Sequence, residues 1–313
     1  FKKISDSNNF FYFLFFLYVP ISLLENLKEN ITLVKKNLLN KIPKKIISSK
    51  DLHFNLAFKI ETYFYKLLGS ELIYIQHGGN YGLDNIHQFE NYEIKCSDKF
   101  ISWGWRHNYK NVFPSTQPIL KLKKRKKKNI KNLLVMGNYP SFPYRLHFQP
   151  MGKKRVTKMR SETISFLHKL GNYQNFYIRT YRDYDDDINP YIIKNLSNFK
   201  FENSSNILKV FENSRLVVHN YLCTSYLITL ALNIPTVCFY DPEVYKFRSE
   251  VNYFINKFND YGIFHQNGES AAKFLSKTDI DDWWNKKEVQ STRKSFVNNY
   301  SNFSNSWVNP WEL

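Results

Sequence analysis

Ile73-Tyr74-Ile75-Gln76-His77-Gly78-Gly79-Asn80-Tyr81-Gly82 is the stretch on which the fold turns: an apolar run leads straight into a histidine and paired glycines. Glycine admits positive φ and lets a substrate approach the main chain closely, so the pattern reads as a strand ending in an exposed elbow that presents an imidazole. Upstream, residues 45–49 read as a strand and 52–67 as a helix, which makes this run the second strand of a βαβ unit. In open α/β sheets ligands sit at the carboxyl ends of such strands, and His77 is therefore a candidate reactive group. A tight turn whose histidine caps a neighbour accounts for the same ten residues, and they do not by themselves separate the two readings.

The alternation resumes further along the chain. Residues 132–137 (NLLVMG) read as a strand, 158–170 as an amphipathic helix and 176–180 as a strand. After them come a helix over 207–212, a buried strand over 216–219, a helix over 225–232 and a strand over 236–240 behind Pro235. Short connections and apolar strands predict a parallel sheet. Residues 270–275 and 286–300 read as helices, with Trp283, Trp284, Trp307 and Trp311 packing a terminal helix against the body.

With 313 residues, 43% hydrophobic and 18% aromatic, the chain is long enough for two cores. The expected division is a domain over 1–120, a basic linker over 121–128 (KLKKRKKK) and a domain over 129–313. The chain opens on Phe1-Lys2-Lys3 without a methionine, as a piece lacking its amino-terminal portion would. The net charge of +18, from 45 Lys and Arg against 27 Asp and Glu, suits an anionic partner. Part of it reflects a composition rich in Lys, Asn, Ile, Phe and Tyr together, as AT-rich coding yields. The basic run reads as a solvated linker, and its functional reading is peripheral contact with an anionic membrane face or a phosphorylated lipid; no base-reading motif supports nucleic acid. Cys96, Cys223 and Cys238 stand far apart, without disulfide or zinc spacing, which suits a reducing cytoplasm. The apolar run at 10–24 contains Pro20 and falls short of the roughly 20 residues a span requires. It reads as a buried strand and helix start, and no small-residue cleavage site follows it.

A second candidate site is the loop His219-Asn220-Tyr221-Leu222-Cys223-Thr224-Ser225, between a strand and a helix. A helix start offers N–H donors, hydroxyls and a positive dipole end to phosphate; an ordinary N-cap is the alternative. His219 reads either as a phosphate donor or as a satisfied core histidine. Arg179 at a strand end and Arg145 in the loop after 132–137 are candidate anion ligands, although loop arginines are also commonly solvated. Asp183, Asp185, Asp186 and Asp187 would suit Mn or Mg in a single-domain GT-A enzyme, but they precede Asn189-Pro190 in what reads as an exposed loop.

Two Rossmann-like α/β domains joined by a linker describe the GT-B architecture of glycosyltransferases. The chain resembles a family of transferases encoded in bacterial O-antigen and surface-polysaccharide loci. The resemblance covers most of its length and rests on Pro20, Leu24-Glu25, Gln76 to Gly82, Ser97-Asp98-Lys99-Phe100 and Trp103-Gly104-Trp105. It continues through Asn233-Ile234-Pro235-Thr236, Asp241-Pro242, Ala271-Ala272 and Trp283-Trp284. It implies a transferase of lipopolysaccharide or capsule assembly, cytoplasmic and peripheral at the inner membrane face. By analogy with other such transferases the donor is a nucleotide sugar, expected to be CMP-linked, and the acceptor a glycan or lipid-linked glycan, with no cofactor and no metal.

On this footing His77 is the expected general base, because a neutral imidazole suits removal of an acceptor hydroxyl proton. Gln76, Gly78, Gly79, Asn80, Tyr81 and Asp98 are expected on the acceptor side, and Arg145, Arg179, His219, Asn220, Thr224 and Ser225 on the donor side. Glu93 and Asp98 read as groups that hold sugar hydroxyls or orient His77, and Asp98 also as a strand cap. One departure stands out: the family pattern places a ribose-binding glutamate at position 228, where this chain has Ile228. A CDP-alcohol phosphotransferase and a non-catalytic GT-B-like glycan-binding protein therefore remain as alternatives.

Overall fold

Residues 45–75 form the expected βαβ unit, and the reason is local. In the computed structural model, which describes Tyr12 and residues 25–38, 42–87, 89–117, 131–137, 153–170, 176–180 and 200–303, contacts divide the chain into two units. The first lies within Phe1–Ile75 and includes Lys95–Lys99; the second comprises Gln76–Ile94 and Phe100–Leu313. The basic run 121–128, Arg145, the acidic cluster 183–187, Trp307, Trp311 and, apart from Tyr12, the apolar run 10–24 lie outside the described residues.

In the first unit α1 (Leu27–Asn37) precedes β1 (Lys45–Ser48), α2 (Asp51–Phe54), α3 (Leu56–Leu67) and β2 (Glu71–Ile75). Strands β1 and β2 pair in parallel, from Lys45 opposite Glu71 to Ser48 opposite Tyr74. The single helix expected over 52–67 is two helices. Asn55 leaves helical geometry at φ −124° and ψ 103°, and its Oδ1 accepts the Phe58 N–H, making it the N-cap of α3. Asp98 closes this unit. Its carboxylate accepts the Leu72 N–H at 2.7 Å and pairs with Lys66 at 2.9 Å. Partial burial opposes ionisation, but the Leu72 N–H and the Lys66 ammonium outweigh it and hold the carboxyl below the usual range.

In the second unit β3 (Lys99–Ser102) and β4 (Val112–Pro114) pair in parallel from Phe100 opposite Val112. A six-stranded sheet follows, formed by β5 (Lys131–Val135), β6 (Phe176–Arg179), β7 (Lys200–Phe201), β8 (Ser214–His219), β9 (Thr236–Phe239) and β10 (Phe264–His265). Its order is β7-β6-β5-β8-β9-β10, and every pair is parallel. Counted along the chain this is the doubly wound order, with the direction of winding switching between β5 and β8. The strands are continuous apolar runs because both faces are covered: Leu133, Leu134, Leu216, Val217 and Val218 are fully buried.

The helices of this unit are α4 (Glu90–Cys96, whose last two residues fall in the first unit), α5 (Lys153–Leu170), α6 (Ile207–Glu212), α7 (Thr224–Ala231), α8 (Asn252–Asp260), α9 (Gly268–Lys277), α10 (Ile280–Trp284) and α11 (Lys287–Tyr300). The paired tryptophans are core with their polar ends satisfied: Trp283 Nε1 donates to Tyr261 O and Trp284 Nε1 to Asn233 Oδ1. The end of α11 packs back on the body. Ser301 Oγ donates to Leu227 O, Asn302 N to Trp103 O and Gln117 N to Asn302 O. Among the described residues no helix is long and apolar enough to cross a membrane.

Replacing Asp98 with alanine removes the acceptor for the Leu72 N–H and leaves Lys66 without its carboxylate. The expected loss is about 1–2 kcal/mol in urea unfolding, most of it restored in Asp98→Asn; an unchanged midpoint in Asp98→Ala would contradict the capping role.

Candidate active site

The switch between β5 and β8 is bridged by a single side chain. Asn220, just past the end of β8 and 2% exposed, accepts the Gly137 N–H through Oδ1 at 2.8 Å and donates through Nδ2 to Thr163 Oγ1 on α5 at 2.9 Å. Four residues later α7 begins at Thr224. Its N-cap, Cys223, makes no side-chain cap bond, and the elbow that follows β2 meets the helix end instead.

Gly79 N donates to Thr224 Oγ1 at 2.8 Å, and Asn80 Nδ2 donates to Leu222 O at 3.2 Å. The approach is too close for a side chain: a Cβ on Gly79 would lie 2.7 Å from Thr224 N and 2.9 Å from Cys223 C. Asn80 follows with φ +71°, a left-handed conformation that asparagine tolerates better than most residues. The close approach at Gly79 is made by the amino end of α7 itself, where the sequence suggested a substrate, and positive φ falls on Asn80 and Gly82 and not on the paired glycines.

His77 sits at the entry to this turn. Its Nδ1 lies 3.1 Å from the Tyr81 hydroxyl and 3.6 Å from Glu93 Oε1. Tyr81 is 1% exposed and Glu93 fully buried. Gln76, also buried, braces the strand end: Oε1 accepts the Trp103 N–H and Trp105 Nε1–H, and Nε2 donates to Gly78 O. The far side of the loop is anchored by Glu90, whose Oε2 accepts the Gly82 N–H at 2.7 Å and whose Oε1 pairs with Arg248. A Cβ at Gly82, φ +70°, would meet the Trp105 ring at 2.5 Å.

The other expected residues are distributed as follows. Ser225 is tied inward, with Oγ 3.2 Å from His219 Nδ1 and donating to the Tyr221 hydroxyl. His219 is fully buried, its Nε2 lies 3.1 Å from Thr229 Oγ1, and burial pushes its pKa down to about 3. It is therefore a neutral, satisfied core histidine, the second of the two readings its position allowed. Arg179 is 7% exposed and donates to Ser204 O. Asp98 lies in the first unit with Lys66 and Leu72 as its partners. Ile228 packs against the cluster of Leu133, Val135, Val210, Phe211, Val217 and Ile234, so position 228 is part of the apolar core.

Glu90, Arg248 and Asp84 carry no signal in the sequence. Glu90 and Arg248 are separated by 158 residues, and α4 is only seven residues long, too short for its periodicity to be read. Arg248 Nε also donates to Asp84 O, and Asp84 Oδ1 is buried with no hydrogen-bond partner among the described residues. Burial, aided by the Glu90 charge and opposed by Arg248 and Asn80, pushes the Asp84 pKa up to about 7. Burial likewise raises Glu90 above the usual carboxylate range, against the Gly82 N–H and Arg248.

Because the folded pKa of Asp84 lies above the unfolded value of 3.8, its contribution to stability is complete below that value and is lost as pH rises toward about 7. The loss is on the order of 4 kcal/mol, since each tenfold change in proton affinity is worth ~1.4 kcal/mol. Asp84→Asn should flatten this fall when urea unfolding is compared at pH 5 and pH 8; parallel losses in both proteins would show that another group is responsible.

Solved structures share this fold at low identity. A TarM mutant from S. aureus in complex with fondaparinux, alpha-GlcNAc-glycerol and UDP matches with a TM-score of 0.50 and 14% identity over 90% of this chain, which spans only 57% of that one. A protein described as a UDP-N-acetylglucosamine 2-epimerase from Listeria monocytogenes and a co-structure of S. aureus MnaA with UDP each give 0.53 and 9% over 88% of this chain, and 75% and 80% of theirs. This likeness is one of fold, the GT-B type of α/β architecture expected from the sequence. No curated protein matches the chain. Residues 2–313 match the LIC12162 family transferase, and the chain belongs to that family.

Proposed function

We propose that this transferase is a metal-independent glycosyltransferase of bacterial surface-polysaccharide assembly, moving a sugar from a nucleotide-activated donor to a glycan or lipid-linked acceptor, with His77 as general base. The observation that carries the reading is the seat of the His77 turn on the first residue of α7, at the carboxyl edge of the switch-point strand. The turn that carries the imidazole and a helix amino end are thereby neighbours. The first suits proton removal from an acceptor hydroxyl, and the second suits charge on a leaving phosphate.

In the proposed step the acceptor oxygen attacks the anomeric carbon and its proton passes to His77. The bond from that carbon to the phosphate oxygen breaks, and the electron pair leaves with the nucleotide. The helix dipole at α7 supplies positive potential, which is why the step is written without a metal or other cofactor. Thr224 is the nearest hydroxyl to the turn, and Gly78, Gly79 and Asn80 form the acceptor-side backbone. Arg145 and Arg179 stay as donor-side candidates. The ribose is recognised without a glutamate at position 228, whose isoleucine serves the core. UDP in the TarM and MnaA complexes makes nucleotides the natural probes, and a CMP-linked donor is the preferred one. Action at the inner face of an anionic membrane, from the cytoplasm, belongs to the same proposal and rests on the +18 charge.

The test is a thermal-shift screen with UDP, GDP, CDP and CMP on the wild type and His77→Ala, followed by product analysis with sugar donors of the nucleotide that binds. One nucleotide should stabilise both proteins, while turnover in His77→Ala falls on the order of 10²–10⁴-fold. Full turnover in the variant would overturn the base assignment, transfer of an alcohol phosphate would make the enzyme a phosphotransferase, and absence of stabilisation by all four would overturn the donor reading.

A further inference from the structure

Helix α4 buries two glutamates completely, three residues apart and thus on neighbouring positions of one face. Buried carboxylates are costly and are kept where something needs them. Glu90 answers to the Gly82 N–H and to Arg248. Glu93 has His77 Nδ1 at 3.6 Å, and the Tyr81 hydroxyl approaches the same nitrogen at 3.1 Å. The Tyr81 ring is itself held, 4.0 Å from the His87 ring and 6.0 Å from Phe100, and Phe89 lies 6.0 Å from the imidazole.

We propose that Glu93, together with the Tyr81 hydroxyl, is the positioning pair for His77: it keeps the imidazole proton on Nδ1 and so directs the lone pair of Nε2 toward the acceptor. This rests on the reading of His77 as the base. A carboxylate beside Nδ1 favours the tautomer with its proton there and stabilises the imidazolium that forms when Nε2 takes the acceptor proton. That proton is later released to solvent, restoring the neutral ring. Glu93 touches no substrate in this scheme and acts only through His77. Among the described residues the charged and titratable groups around the loop include Tyr81, His87 and Glu93 on the His77 side, and Glu90, Arg248, Asp84, His107 and Tyr109 around Gly82. Glu93 is the carboxylate paired with the imidazole.

Imidazole nitrogen NMR on the full chain reads the tautomer without any substrate, the His77 signals being assigned by their loss in His77→Asn. The wild type should carry its proton on Nδ1, and Glu93→Gln, which keeps the volume but removes the charge, should shift the ring toward the Nε2–H form. In the turnover assay with the nucleotide sugar identified above, Glu93→Gln should lower kcat on the order of a hundredfold with KM within about twofold, whereas a merely structural residue would change stability and leave the tautomer alone. A wild-type ring protonated on Nε2 overturns the proposal even if no variant folds, and an unchanged tautomer in Glu93→Gln overturns it as well. Loss of turnover in His77→Ala with no change of tautomer in Glu93→Gln would leave the base standing and remove its positioning partner.

Discussion

The seat of Gly79 on Thr224 is the contact from which the arrangement of the site follows. A backbone N–H of one loop occupies the hydroxyl at the start of α7, 145 residues away, and the space between Gly79 and the helix end admits no Cβ. The contact fixes where the strand-end turn points, and with it where His77 sits relative to the carboxyl edge of the sheet. Asn80, bonded to Leu222 O from a left-handed backbone, makes the seat a two-point attachment. A loop held at one point would pivot; held at two, in a contact too close for any side chain at Gly79, it keeps one orientation, as a preorganised group requires.

Behind this loop lies a concentration of buried charge that would be unfavourable if any partner were absent. Glu90 is neutralised by Arg248, which also reaches the backbone at Asp84 and Leu83. Such pairs gain little net stability over apolar residues of the same volume, but they penalise every arrangement in which they come apart. Their effect here is to define the path of residues 82–90, and therefore the position of α4 and of Glu93 behind His77. Charge burial is used for register, while the apolar core of the six-stranded sheet supplies the stability.

Around the start of α7 the side chains are largely committed inward. His219, Ser225 and Tyr221 form a chain of hydrogen bonds below the start of α7, and Asn220 ties the two strands that flank the switch. Ile228, partly buried, packs on the cluster that β5 and β8 contribute to. Main-chain dipoles and the glycine turn are thus the prominent features at this end of α7.

Much of the fold was legible because it is written in local periodicity. The strands at β1, β2, β5, β6, β8 and β9 and the helices α3, α5, α6, α7, α9 and α11 announce themselves as apolar runs and amphipathic repeats, with boundaries shifted by a few residues at most beyond the Asn55 break. Short elements such as β7, β10 and α4 hold too few residues for a period to emerge. The turn at His77 was visible as a turn, since strand, histidine and paired glycines form a local signal, but what the glycines make room for, a helix end 145 residues away, was not. What only the tertiary structure decided is which groups face one another. It put Glu93, of the two carboxylates the sequence offered, beside His77, gave Arg248 to Glu90 and Lys66 to Asp98, enclosed His219, and turned the Thr224 hydroxyl toward Gly79. Periodicity reports how a residue relates to its neighbours within a few positions, whereas a buried side chain takes its partner from whatever the topology brings within hydrogen-bond distance. That choice is made by chain crossings tens to hundreds of residues apart, which no local pattern records.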